Sequence, residues 1–182
     1  MHPSLAFLRG INLGGRRVTL DRPAACFEAL AFTGVATFIV SGNVIFSGQP
    51  SAGRKLARQI EPALSTSLGD DVDTFVRTRT AVAALAARSP FAPADLHDPA
   101  TTLPVGFLCA TLTPGQQRGL EACRSDVDES RVDGRGYSWL CRGIKTLESK
   151  IWASREREAL TPPSSSMRNL TTIRKLAALY PA

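Results

Sequence analysis

Val35-Ala36-Thr37-Phe38-Ile39-Val40-Ser41-Gly42-Asn43-Val44-Ile45-Phe46 is the stretch on which the fold turns. Two runs rich in β-branched and aromatic residues flank a Ser-Gly-Asn break, which is the pattern of a hairpin. A hairpin joins antiparallel strands, whereas parallel strands need a long crossover. One antiparallel pair at this point argues against an all-parallel α/β sheet.

On the N-terminal side, Leu5–Arg9 reads as a strand and Arg22–Phe32 as a helix. Asp21 is placed to cap that helix, Pro23 suits its first turn and Gly34 its stop. On the C-terminal side a second helix spans about residues 52–68, with Leu56, Ile60 and Leu64 on one stripe. Pro62 is expected to kink this helix or end its regular part. Val72–Val76 reads as a fourth strand and Ala81–Arg88 as a short closing helix. The order is β-α-β-β-α-β.

Pro90, Pro93, Pro99 and Pro104 then crowd a stretch with little periodicity, read here as a linker over residues 90–103. Beyond it the order recurs. Val105–Ala110 is a strand, and Thr113-Pro114-Gly115-Gln116 is a capping box with proline at the first helical position. Asp128–Val132 and Tyr137–Cys141 flank the turn Gly134-Arg135-Gly136. A helix over about 147–160, a short strand at Ser165–Met167 and a helix from Asn169 complete the set. The expectation is an α+β protein of two ferredoxin-like halves, residues 1–89 and 104–182, each an antiparallel sheet with helices on one face. Two such halves would leave a groove between them.

Composition narrows the classes. The chain has 182 residues, 43% hydrophobic and 21% charged, which suits an ordinary globular protein. No apolar run approaches the ~18–20 residues that span a membrane, and the first residues lack a secretory pattern, so a cytoplasmic location is expected. The four cysteines form no C-x-x-C pair and the two histidines, His2 and His97, stand apart, so neither a disulfide framework nor a metal site is expected. No cofactor is expected either. Net charge is +6, and 18 of the 22 basic residues are arginine, a balance as consistent with compositional bias as with a binding surface.

The chemistry concentrates between the first strand and the first helix, in Arg9-Gly10-Ile11-Asn12-Leu13-Gly14-Gly15-Arg16-Arg17-Val18. Glycines bring backbone N–H groups close to a ligand, successive N–H groups form an anion nest, and arginine forks suit phosphate or carboxylate. Gly10 and Gly15 followed by Arg16-Arg17 superficially match a Walker A loop. That loop needs lysine and a Ser/Thr ligand for magnesium, and both positions are arginine here. The Rossmann spacing is absent too. A loop whose glycines merely turn the chain is the plain alternative. Ser41 and Asn43 join the candidate set, although a hairpin turn demands the same residue types. Lys150, on the expected helix, reads more readily as a solvated charge or a partner of Glu148 or Glu156 than as a catalytic amine, and Asn169, after Arg168, reads as a helix cap. No nucleophile–base pair or catalytic carboxylate pair can be assembled.

Three segments, Leu8-Arg9-Gly10-Ile11-Asn12-Leu13-Gly14-Gly15, Ser41-Gly42-Asn43-Val44-Ile45-Phe46, and Ser149-Lys150-Ile151 with Arg168-Asn169, resemble in order and spacing the domain-of-unknown-function family 1697 (DUF1697). The resemblance implies a cytoplasmic α+β protein of two related halves, mostly bacterial, with no established activity and no catalytic assignment. The candidate ligand-binding residues are therefore Arg9, Gly10, Asn12, Gly14, Gly15, Arg16, Arg17, Ser41, Asn43, Lys150, Arg168 and Asn169. The expected partner is a small anionic ligand, a nucleotide or phosphorylated metabolite. Nucleic acid bound along an arginine-lined groove is the alternative, with a ligand-free interaction protein behind it. Base stacking in the manner of RNA-recognition modules needs aromatics on the first and third strands, and the third strand offers only Phe46, at the wrong spacing.

Overall fold

The computed structural model describes residues 2–11, 19–39, 42–51, 53–143, 149 and 164–182. These form a mixed α+β protein with two antiparallel sheets and six helices among the described residues. The chain divides into two compact units, Met1–Leu85 with Lys175–Ala182, and Ala86–Arg174.

In the first unit the order is β1 (His2–Leu8), α1 (Asp21–Ala29), β2 (Thr33–Phe38), β3 (Asn43–Gly48), α2 (Gly53–Leu68), β4 (Thr74–Thr78) and α3 (Arg79–Ala86). The sheet runs β2-β3-β1-β4. Alternation along the strands sends Ala6, Leu8, Val44, Phe46 and Val76 to one face, where Cys26 and Phe27 of α1 and Leu56, Ile60 and Leu64 of α2 cover them. Phe27, Phe32 and Phe46 meet as a triad with ring centroids 4.7–5.9 Å apart. Leu5, Phe7, Ile45 and Phe75 take the opposite face and are buried as well.

Several local expectations change. Asp21 is the first helical residue, Leu20 occupies the cap, and no side chain caps the N–H groups. Gly34 does not stop α1. Ala31 does, at φ 60°, with Ala31 N–H donating to Glu28 O and Phe32 N–H to Phe27 O in a Schellman arrangement. Gly34, at φ 58°, lies within β2, where the register with β3 shifts between Thr33 and Ala36. A left-handed alanine carries a Cβ penalty that glycine escapes. Ala31→Gly is therefore expected to raise unfolding free energy by about 0.5–1 kcal/mol, read as a higher urea midpoint at unchanged slope. Pro62 sits inside α2, which continues through it to Leu68 because Ile60 and Leu64 hold both sides of the break in the core. The fourth strand begins two residues later than expected, at Thr74.

The second unit contains α4 (Pro93–His97), β5 (Thr101–Thr102), β6 (Pro104–Leu108), α5 (Pro114–Ala122), β7 (Asp128–Asp133), β8 (Gly136–Arg142), β9 (Ser165–Asn169) and the start of α6 (Leu170–Leu179). The proline-rich stretch 90–103 thus contains one helical turn and a two-residue strand. β5 and β6 pair with β8 in one continuous register, Thr102 opposite Cys141 and Val105 opposite Ser138, so they are one strand interrupted at Leu103. Four strands run β7-β8-β6-β9. This is the order of the first sheet, and the registers agree: Leu8 lies opposite Thr74 and Leu108 opposite Ser165. Leu8 N–H donates to Gly42 O at 2.8 Å, and Leu108 N–H to Arg135 O at 2.9 Å. Thr113 and Gln116 form the capping box of α5. Trp139 and Cys141 pack beneath Leu120 of α5 and Cys123 at its C-terminal cap, and Trp139 Nε1 donates to the buried Asp128 at 3.0 Å.

Candidate functional site

The end of β1 gathers three loops. Arg9 follows the strand, and its N–H donates to Asp73 O at 2.9 Å, ahead of β4. The bond from Leu8 N–H to Gly42 O ties in the β2–β3 connection. Gly42 has φ 76°, and a Cβ there would stand 2.7 Å from Ile11 Cδ1 and 3.2 Å from Leu8 Cβ. Glycine suits this position on both counts, since it adopts the positive φ without strain and leaves room for the Ile11 and Leu8 side chains. Gly10, at φ 78°, turns the chain away from β1.

The connection differs from the expected turn. β2 ends at Phe38 and β3 begins at Asn43, directly opposite each other, so four residues make the link. Asn43 is a buried strand residue, and its Nδ2 donates to Phe38 O at 2.9 Å, closing the loop from within. Ile39 in this link has φ 49° and is 46% exposed, an uncommon conformation for a β-branched residue.

Arg9 Nη1 meets Asp73 Oδ2 at 3.1 Å, with the two side chains 53% and 48% exposed. A pair this open contributes little to stability and exchanges readily with water. Asp70 and Asp71 lie on the same approach to β4 and are exposed. Arg9, Gly10 and Asn43 are thus brought to one end of the first sheet. Asn12, Gly14, Gly15, Arg16, Arg17, Ser41 and Lys150 lie outside the described residues.

Arg168 and Asn169 stand in the second unit. Arg168 is 8% exposed on β9, opposite Val105. Its Nη1 donates to Ser166 Oγ at 2.8 Å and to Met167 O at 2.7 Å. Burial pushes the guanidinium down to about 10, so it remains cationic at neutral pH. Asn169 Oδ1 accepts from Thr171 N–H at 3.0 Å and caps α6. Sequence reasoning passed over Arg77. It holds in β4 the register position that Arg168 holds in β9, three residues after Thr74 and Ser165. Arg77 Nη1 likewise donates to the preceding carbonyl, Val76 O, at 3.0 Å. The signal was there, an arginine at the same place in the last strand of each half.

Among the described residues no group of three or more His, Cys, Asp or Glu could hold a metal ion, and all four cysteines are free thiols. No helix among them is long and apolar enough to cross a membrane.

The family model described as "Protein of unknown function (DUF1697)" matches residues 1–137, which include the loop after β1 and the Gly42 turn. The chain belongs to the DUF1697 family. Among solved structures, this DUF1697 chain is similar to the conserved bacterial protein SP0830 from Streptococcus pneumoniae, with a TM-score of 0.72 and 18% sequence identity over 98% of each chain. At that identity the likeness concerns the fold. No curated protein matches the chain.

Proposed function

We propose that this DUF1697 protein binds a small anionic ligand, a nucleotide or phosphorylated metabolite, at the Gly/Arg loop that follows β1. The observation that carries the reading is the convergence at the end of β1. Gly10 at positive φ, the close-packed Gly42 and a half-exposed Arg9 lie where the sequence then supplies Asn12, Gly14, Gly15, Arg16 and Arg17. Glycine N–H groups would cradle the anion and arginines would fork onto it. Asp73 competes for Arg9, and the openness of that pair lets a ligand replace it. The shared strand order and register of the two sheets support two ferredoxin-like halves, 1–89 and 104–182, with the loop site in the first. A cytoplasmic setting fits such ligands.

The test is titration calorimetry with inorganic phosphate, pyrophosphate and ATP, beside single-stranded oligonucleotides of increasing length. Arg9→Ala is expected to weaken binding roughly ten- to a hundredfold, as loss of one charged hydrogen bond does. Asp73→Asn, which removes the competing carboxylate, is expected to tighten it. Equal affinities for wild type and Arg9→Ala would refute the site. Binding that grows with oligonucleotide length and falls steeply with salt would favour the nucleic-acid reading instead.

A further inference from the structure

The stretch between Phe91 and Thr102 is held in an unusual way. Phe91 is buried and anchors one end, and β5 pairs with β8 at the other. Between them α4 has five residues, and its cap residue Ala92 offers no side-chain bond. A helix of one turn does not persist on its own hydrogen bonds. Pro93 and Ala94 face solvent, and Asp95 and Leu96 are half-buried.

What fastens the turn is Arg142, the last residue of β8. Its Nε meets Asp95 Oδ1 at 2.6 Å and its Nη2 meets Asp95 Oδ2 at 2.9 Å, a two-pronged fork across 47 residues of chain. The same guanidinium reaches Glu129 Oε2 on β7 at 3.5 Å and donates to Asp126 O at 3.4 Å. Glu129 is nearly buried and is also paired with Arg131 and, at 3.7 Å, with Arg124. The backbone of this row serves the segment as well: Arg142 is the register partner of Thr101, and Gly143 N–H donates to Ala100 O at 3.2 Å. One residue therefore grips α4 with its side chain and aligns β5 with its main chain.

We infer that the Asp95–Arg142 fork is a latch holding residues 93–102 on the second sheet, and that this segment opens locally, ahead of the rest of its unit, when the fork is broken. The two side chains are 22% and 29% exposed, so water reaches the fork without the core being disturbed. Phe91 anchors the segment at one end, and the two-residue β5 at the other is itself aligned by Arg142, so the stretch can lift as a small cooperative unit. The hydrogen bond from Arg142 holds the Asp95 carboxyl below its ordinary value, and the same bond raises Arg142. A depressed carboxyl contributes above its unfolded value and loses that contribution as pH falls through the folded one. The latch consequently stays charged through the neutral range. Glu129 meets Arg142 from β7 and is itself paired with Arg124 and Arg131, and on the same segment as Asp95 the Asp98 Oδ1 accepts from Ala100 N–H at 2.9 Å.

Hydrogen exchange on the full chain at neutral pH tests this. Asp95→Asn is expected to speed exchange of amides in 93–102 about tenfold, the worth of one charged hydrogen bond, while the other strands of the unit keep their protection. Arg142→Lys keeps the charge but has no fork, and should show a smaller acceleration in the same peptides. Arg131→Ala, which touches Glu129 and not Asp95, should leave 93–102 unchanged. Unaltered exchange of 93–102 in both Asp95→Asn and Arg142→Lys would overturn the inference. So would acceleration spread evenly over the unit, which signals global destabilisation.

Discussion

Phe27→Ala is expected to cost about 3–5 kcal/mol, a large share of the roughly 5–15 kcal/mol that holds an ordinary domain folded. Phe27 is fully buried, its ring 5.0 Å from Phe46 at 63° and 5.9 Å from Phe32, and it joins α1 to the helix-covered face of the first sheet. Truncation leaves a cavity that two other rings, themselves 4.7 Å apart, have little freedom to fill. Urea denaturation should show a midpoint lowered at unchanged slope. A loss below about 1 kcal/mol would mean that Phe32 and Phe46 collapse into the space and that the triad is looser than its geometry.

Gly106→Ala should be nearly as damaging, for the opposite reason. A Cβ at Gly106 would fall 2.1 Å from Tyr137 Cζ and 2.2 Å from its Cε1, because the tyrosine ring lies across the glycine from the neighbouring strand. The ring cannot stay, and overpacking of this kind costs about 1–3 kcal/mol or more. The double variant Gly106→Ala with Tyr137→Ala should cost less than the sum of the two single effects. In the Tyr137→Ala background, Gly106→Ala should be close to neutral, so a double-mutant cycle should return strong coupling. Additive effects would mean that the Tyr137 ring is not what Gly106→Ala collides with.

The element order was legible because it is written in apolar alternation and in turn residues. Val44-Ile45-Phe46 is buried on both faces of its strand, and Leu56, Ile60 and Leu64 form one stripe of α2, as their spacing implies. The places that misled are those where tertiary contacts outrank local propensity. Core residues on both sides carry α2 through Pro62, and a Schellman turn built on an alanine pre-empts the glycine three residues later. The proline-rich stretch concealed a strand because β5 takes its identity from pairing with β8, which no local pattern encodes. For the candidate site, sequence located Arg9 and the Gly42 turn and could not foresee Asp73 as the partner of Arg9, since an ion pair across 64 residues leaves no periodic trace. Glu129 and Asp128 defeat pattern reading for another reason. Acidic residues in a strand suggest a solvated face, yet one is enclosed by arginines and the other lies under Trp139.

The register of β1 also sets the tempo of folding. Leu5 stands opposite Ile45 on one side and Arg77 on the other, so the central strand of the sheet meets its second partner only across some seventy residues of chain. Val105 stands likewise between Ser138 and Arg168. Closing such loops precedes any return from the contacts they bring, and chains dominated by distant pairings fold slowly. The β2–β3 hairpin and the α1 turn can form early and locally, but each sheet waits for its last strand. A chain growing from its N-terminus would therefore carry an incomplete first sheet, with one side of β1 unpaired, until β4 had been made.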